Sequence, residues 1–471
     1  MNNLILLLTF KSRFFEMKNL ALILFVLSLT GCGGERITEP SEEVKPTTNE
    51  SVHDLTPESA GETDPTKLAW MLGFPPPQDK RLAASDGSFF RFPALRYSVV
   101  HMREFLPTIN VSRGLEDAAR LGYAIDQNID TVTFLPWNDT LPMTWEESLQ
   151  ANYTDGMLIL HRGEIVYEKY FGEMAQDRVH AVMSVSKTFT GTLAAILVAE
   201  GILDENARVK EYVPELAESA FGDATVRQVM DMTTALQFSE NYADPKAEIW
   251  AFSAAGNPSL SSADYDGPVG YFEYLETVKK SGEHGEFFGY KTVNTDALGW
   301  IISKVTNQKV SELLSENIWK PMGMEMDAYY QVDALGIPFA GGGLSAGLRD
   351  LARFGEMIRN NGFWNGEQII SDAAVDDIRK GGSREAFAKS IYGEKLEGWS
   401  YRNMWWMTHN EHDAFAARGV HGQTIYIDPA AEMVLVRLAS HPSAANSKID
   451  PTSLPAYHAV AKYLKSKNDR K

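Results

Sequence analysis

Ser184-Val185-Ser186-Lys187 sets a hydroxyl and an amine three residues apart, just before an apolar run from Thr188 to Glu200 that stops at Gly201. Positions three apart on a helix share a face, so the lysine can reach the serine. A serine attacks a carbonyl only once a base has taken its proton. Lysine, with a reference pKa of about 10.4, becomes that base when desolvation against an apolar helix lowers it. A serine at a helix N-terminus also has a free backbone N–H to offer an oxyanion. The chemistry of this spacing is therefore acyl transfer through a serine ester. The S-x-x-K spacing occurs once in the chain; the alternative is a capping serine followed by a surface lysine.

Those residues need a scaffold. Met157 to Tyr170 alternates apolar and polar residues about His161-Arg162-Gly163, the pattern of a hairpin, and Gln423 to Leu438 repeats it about Asp428-Pro429. The chain between is mainly helical in pattern, including Ser311 to Trp319, and Pro455 to Lys465 forms an amphipathic terminal helix. Strands from distant segments imply one antiparallel sheet built from both ends of the chain and flanked by helices, with a mainly helical second lobe. The fold class expected is α/β, of the α+β kind.

The 471 residues carry a net charge of -19, which excludes a nucleic-acid partner because phosphate binding needs a concentrated basic surface. The single cysteine excludes an internal disulfide or a Cys-rich zinc site. Leu20 to Leu29 is an apolar core of signal-peptide length, and Leu29-Thr30-Gly31-Cys32 resembles a bacterial lipobox. The expected organisation is a signal peptide over 1–31 with translation starting at Met17, a lipidated Cys32 opening an acidic, Pro/Ser/Thr-rich tether over 32–67, one catalytic body over 68–466, and a tail over 467–471. Gly33 after the cysteine looks like the default for outer-membrane sorting, which implies a lipoprotein facing the periplasm. Beyond the leader, no run is long and apolar enough to span a bilayer.

Two further elements follow the serine motif in order: Tyr290 within Phe288 to Gly299, just before a helical segment, and His421-Gly422-Gln423 at the start of the last hairpin. Ser-x-x-Lys, a tyrosine-centred second element and a short Gly-containing third resemble the penicillin-recognising serine hydrolases, including class C β-lactamases, D,D-peptidases and esterases. Thr225 to Thr234 and Gly341 to Phe354 look like landmarks of that family. Gly73 to Lys80, Phe238 to Pro245, Arg402 to Trp406 and Val420 to Gln423 look like the 6-aminohexanoate-dimer hydrolase branch, whose members cleave small amides and esters. The resemblance implies a β-lactamase/transpeptidase-like fold and a cofactor-free, metal-free hydrolase of a small-molecule amide or ester. It implies Ser184 as nucleophile, Lys187 as base, and Tyr290 as the relay to the leaving group, its phenol lowered by a nearby ammonium. The oxyanion hole would be the N–H groups of Ser184 and Thr424. Tyr242 matches a loop tyrosine that holds the substrate, or else packs at a lobe interface. His421 either contacts substrate or satisfies a strand end.

The departures carry expectations too. Thr292 stands where the family has an asparagine, with Asn294 two residues on, and His421 stands where true β-lactamases place a lysine. A mostly neutral imidazole there implies little β-lactam or D-Ala-D-Ala turnover. Gly343-Leu344-Ser345-Ala346-Gly347 satisfies the G-x-S-x-G elbow of an unrelated hydrolase class, but lacks its strand and its βαβ surroundings. His409 and His412 lie three apart without a metal motif and read as a polar loop; Trp405 and Trp406 read as packing, with one available to wall an acyl pocket. The competing function is a non-catalytic envelope receptor that binds peptides or wall fragments.

Overall fold

The computed structural model describes residues 59–242, 244–257 and 265–468. The signal peptide, Cys32 and the tether up to residue 58 lie outside the described residues, as does the end of the tail. Residues 59–67, assigned to the tether from sequence, are described and lie against the body. The buried Arg96 guanidinium donates to Ala60 O at 2.5 Å and to Thr63 Oγ1 at 3.2 Å, and so holds this segment on the body.

Eight strands form the main sheet: β1 (Gly122–Tyr123), β2 (Thr154–His161), β3 (Glu164–Tyr170), β4 (Ser400–Arg402), β5 (Trp405–Met407), β6 (Phe415–Arg418), β7 (Thr424–Asp428) and β8 (Met433–Ala439). Their order is β4-β5-β6-β7-β8-β2-β3-β1, so the two hairpins read from sequence meet where β8 pairs with β2. All pairs are antiparallel except the short edge, where β1 runs parallel to β3. The β2–β3 turn is a two-residue connection with both residues at positive φ, Arg162 at 56° and Gly163 at 82°, the geometry whose twist matches the flanking strands. A second, four-stranded antiparallel sheet was not foreseen; it joins Thr108–Val111, Ala328–Gln331, Leu344–Gly347 and Val179–Ala181.

Both faces of the main sheet are covered. Met157 and Ile159 of β2, with Met433 and Leu435 of β8, join a core with α1 (Trp145–Ala151) and the terminal α5 (Asp450–Asn468) through Trp145, Tyr457 and Val460. The alternate residues Leu158, Leu160, Val434 and Val436 join the opposite core, with Phe189 of α2 (Val185–Ala199), Ile301 of α3 (Val293–Thr306), and Leu351 and Phe354 of α4 (Leu348–Arg359). The period-two geometry of a strand sends successive side chains to opposite cores, so these central strands are apolar throughout.

Helix α5 starts earlier than expected and contains Pro455. Proline has no N–H for the Pro451 carbonyl four residues back, and that carbonyl accepts from the Trp137 N–H at 2.9 Å instead. Between Val179–Ala181 and Ala328 the described chain is mainly helical, ending in Val310–Leu314 and a π-helical turn over Ser315–Trp319. Gly191 in the middle of α2 lets the β4–β5 turn lie against the helix, because any Cβ there would overlap the Asn403 carbonyl. Thr188 Oγ1 donates to Met404 O at 3.0 Å beside it, which sets the nucleophile helix against the sheet.

Candidate active site

Ser184 occupies the N-cap of α2, yet its hydroxyl makes no capping bond. Lys187 Nζ donates to Ser184 Oγ at 3.0 Å and to Gly341 O at 2.5 Å. The capping reading of this serine is thereby replaced by a serine–lysine pair. Lys187 is 1% exposed. Burial drives its ammonium down to about 8, against the opposing pull of the Glu240 and Asp296 carboxylates. Asp296, on α3, is pushed up by the same burial and partly held back by Lys187.

Tyr290 precedes α3, and its phenol lies beside Ser184 in the same cleft lining. Its ring stands 5.4 Å from Trp406 and 6.1 Å from Tyr401, and Lys187 Nζ lies 5.2 Å from its centroid. The expectation of a lowered phenol is corrected: burial raises Tyr290 well above its usual value, and Lys187 is not among the groups that lower it. The phenol is held neutral, able to donate one proton and accept another. The lowered group of the pair is the lysine.

A cleft of about 720 Å³ opens over Ser184, lined by Tyr290, Glu240, Tyr242, Trp406 and Gly419 among others. Tyr242 is 40% exposed there, with its ring edge-on to Trp250 at 6.0 Å, so it faces the space a substrate would fill while also packing. Trp405 is fully buried in the core, whereas Trp406 walls the cleft.

The third motif is where expectation and structure part. The ladder turns alternate residues of β7 to opposite neighbours. Gln423 O accepts from the Gly419 N–H at 2.9 Å, toward β6, so Thr424, opposite Arg437, directs its amide to β8. Thr424 therefore has no part in an oxyanion hole. The residue against the nucleophile is Gly419, just after β6, and the next residue, Val420, lines the same cleft. A Cβ on Gly419 would lie 2.8 Å from Val182 O and 3.0 Å from Ser184 N. The N–H groups of Ser184 and Val420 donate to no acceptor among the described residues. Gly419→Ala is expected to displace these amides and lower kcat/KM for p-nitrophenyl butyrate about a hundredfold, the size of effect a displacement of about 1 Å produces; near-normal turnover in a folded variant would contradict the placement.

His421 is likewise corrected. It adopts a left-handed conformation (φ 62°), its Nδ1 lies 2.7 Å from His441 O, and its ring meets the edge of Phe90 at 5.9 Å, away from the cleft wall. It satisfies a strand end, and burial lowers its imidazole. Comparison of His421 with the lysine of β-lactamases consequently loses its basis. Among the cations that line the cleft, Arg418 is ion-paired with Asp450. Asn294 is buried and bonded to Thr234 Oγ1 at 2.6 Å and Lys291 O at 3.2 Å, which removes it as a substitute for the family asparagine. Ser345 is fully buried within the strand Leu344–Gly347, and its hydroxyl has no hydrogen-bond partner among the described residues, so the elbow reading fails for want of access. His412 pairs with Asp428 at 2.8 Å, and among the described residues no group of three or more His, Cys, Asp or Glu is placed to hold a metal ion.

Sequence reasoning missed Glu240, Asp296 and the Gly419–Val420 amides. The signal for the last was present: a glycine closing the strand-length run Phe415–Arg418.

A helix-borne serine–lysine pair, a buried tyrosine beside it, and a flanking antiparallel sheet define a serine hydrolase of the β-lactamase/transpeptidase-like architecture. A model of the Beta-lactamase family matches residues 146–454, and the chain belongs to that family. It is 36% identical over 351 residues to the 6-aminohexanoate-dimer hydrolase of Paenarthrobacter ureafaciens, which covers 74% of this chain and 86% of that protein. The solved structure of a Bacillus anthracis protein, described as a candidate 6-aminohexanoate-dimer hydrolase, is similar with a TM-score of 0.75 and 32% identity over 83% of this chain and 99% of that one. A β-lactamase-like structure from Bacteroides dorei, at TM-score 0.55 and 18% identity over 68% of this chain and 96% of that one, shares the fold.

Proposed function

We propose that this protein hydrolyses small linear amides of the 6-aminohexanoate-dimer type, and small carboxylic esters, through an acyl-enzyme on Ser184. The observation that carries the reading is the 3.0 Å contact from a fully buried Lys187 amine to Ser184 Oγ. Neutral Lys187 takes the hydroxyl proton as Ser184 Oγ attacks the carbonyl carbon. The oxyanion is held by the Ser184 and Val420 N–H groups. As the C–N or C–O bond breaks, Tyr290 gives its proton to the leaving amine or alcohol and is re-protonated from the Lys187 ammonium. Water, deprotonated by the same lysine, then cleaves the acyl ester and releases the carboxylic acid. Tyr242, partly exposed in the cleft lining, holds the substrate.

A base must be neutral to act, so kcat/KM should rise with pH through about 8, the lowered value of Lys187. About a tenth of the lysine is then in its working form at pH 7, far more than the ordinary pKa would allow. An acid limb above pH 9.5 would contradict this. The function itself is tested by amine release from linear 6-aminohexanoate dimer, with p-nitrophenyl butyrate in parallel. Ester cleavage alone would reduce the dimer reading to ancestry.

We also infer export and lipidation at Cys32, with the body tethered to the outer membrane and facing the periplasm; the support is the apolar leader that ends in Leu29-Thr30-Gly31-Cys32. A mature N-terminus without a lipid mass on Cys32 would reject it.

A further inference from the structure

Two carboxylates stand in the cleft wall, Asp450 and Glu240. Asp450 is neutralised by Arg418. Glu240 forms no ion pair among the described residues. One of its oxygens accepts the Thr292 N–H, and the two ammonium groups whose charge it feels are turned to other acceptors. Lys187 donates to Ser184 Oγ and Gly341 O, and Lys291 donates to Leu236 O. A half-buried carboxylate without an ion-pair partner is costly for the free protein and attractive to any cation that enters. The rim of the same cleft carries Lys389 and Lys395, both exposed and without an ion pair among the described residues. The cleft therefore holds one carboxylate without an ion pair and two exposed lysines in the same lining.

We propose that Glu240 is a specificity-determining residue that binds the terminal ammonium of the acyl group, so that the enzyme prefers ω-aminoacyl amides and esters to neutral acyl chains of the same length. The inference rests on the reading of Ser184 as the acylated nucleophile. It adds which acyl groups that nucleophile receives and which side chain chooses them. An ammonium docked on Glu240 also shields Lys187 from that carboxylate, so the contact that selects the substrate favours the neutral base. Burial, which holds the Glu240 carboxyl above its usual range in the empty cleft, agrees with a site awaiting a cation.

The test compares 6-aminohexanoyl and heptanoyl groups, equal in length and differing in the terminal ammonium, each as the p-nitroanilide and the p-nitrophenyl ester. The unaltered protein is expected to prefer the aminoacyl member by at least about tenfold in kcat/KM, mainly through KM, equivalent to about 1.4 kcal/mol. Glu240→Gln, which keeps an oxygen for the Thr292 N–H, should bring that ratio to about one, and Glu240→Asp should keep part of it. No preference in the unaltered protein, a preference that survives in Glu240→Gln, or an equal loss on both acyl groups would overturn the proposal. If the esters are cleaved and the anilides are not, the amide reading fails while the ester ratio still decides the role of Glu240. Rates unchanged in Ser184→Ala would instead remove the nucleophile reading, and this inference with it.

Discussion

Alanine at position 184 is expected to lower kcat/KM for both 6-aminohexanoate dimer and p-nitrophenyl butyrate by about 10⁴- to 10⁶-fold, the range seen when a serine hydrolase loses its nucleophile. The hydroxyl is the atom that bonds to the acyl carbon, and no neighbouring group replaces it. Ser186, two residues on, has its hydroxyl engaged with Met183 O at 2.6 Å and the Leu344 N–H at 3.0 Å, and Ser345 is sealed in its strand. Stability should hardly change, since Lys187 keeps its bond to Gly341 O and Ser184 caps nothing. The check is paired: steady-state kinetics beside a melting curve, with mass spectrometry for a fluorophosphonate adduct that disappears in the variant. An adduct that persists at another serine would move the nucleophile elsewhere.

Methionine at position 187 is expected to lower kcat/KM by about 10³- to 10⁴-fold, at the upper end of what a general base contributes, and to abolish the rise through pH 8. Methionine matches the length of the buried stem and needs no partner in this pocket. Removing one member of a buried charged group destabilises when it leaves the other charge behind, but Asp296, already pushed toward its neutral acid by burial, takes up a proton when its counter-charge is lost. Arginine at the same position should fail equally, because a guanidinium cannot give up its proton. A lysine acting only as a fixed positive charge would instead be rescued by arginine, and that outcome would separate the two roles.

Much of this site is local, and local geometry is legible. Ser184 and Lys187 are three residues apart on one helix, so helical periodicity alone brings them together. The two hairpins are set by strand patterning with Arg162-Gly163 and Asp428-Pro429 at the turns, and their meeting in one sheet follows from the need to bury both. Tyr290 was found by its order relative to the serine motif and its place before α3. The reading of a leader and lipobox rests on composition along the chain alone, in residues outside those described.

What the tertiary structure decided is which backbone groups and charges face Ser184. Strand geometry has a period of two, so moving one residue along β7 reverses the direction of its amide. The sequence alone determined that a Gly-containing third element lies near the last hairpin, but the pairing of Gly419 with Gln423 and of Thr424 with Arg437 turned Thr424 away and left Gly419 against the nucleophile. The left-handed turn at His421 swung its ring to His441 by the same kind of local reversal. The charges near Lys187 were beyond reach for a different reason: Glu240 and Asp296 are 53 and 109 residues further along the chain, and only packing makes Lys187 feel them. Sequence determined the reagents, because reactivity resides in residue types at short spacing. The fold determined their electrostatic surroundings, because desolvation and field depend on distance in space and not on distance along the chain.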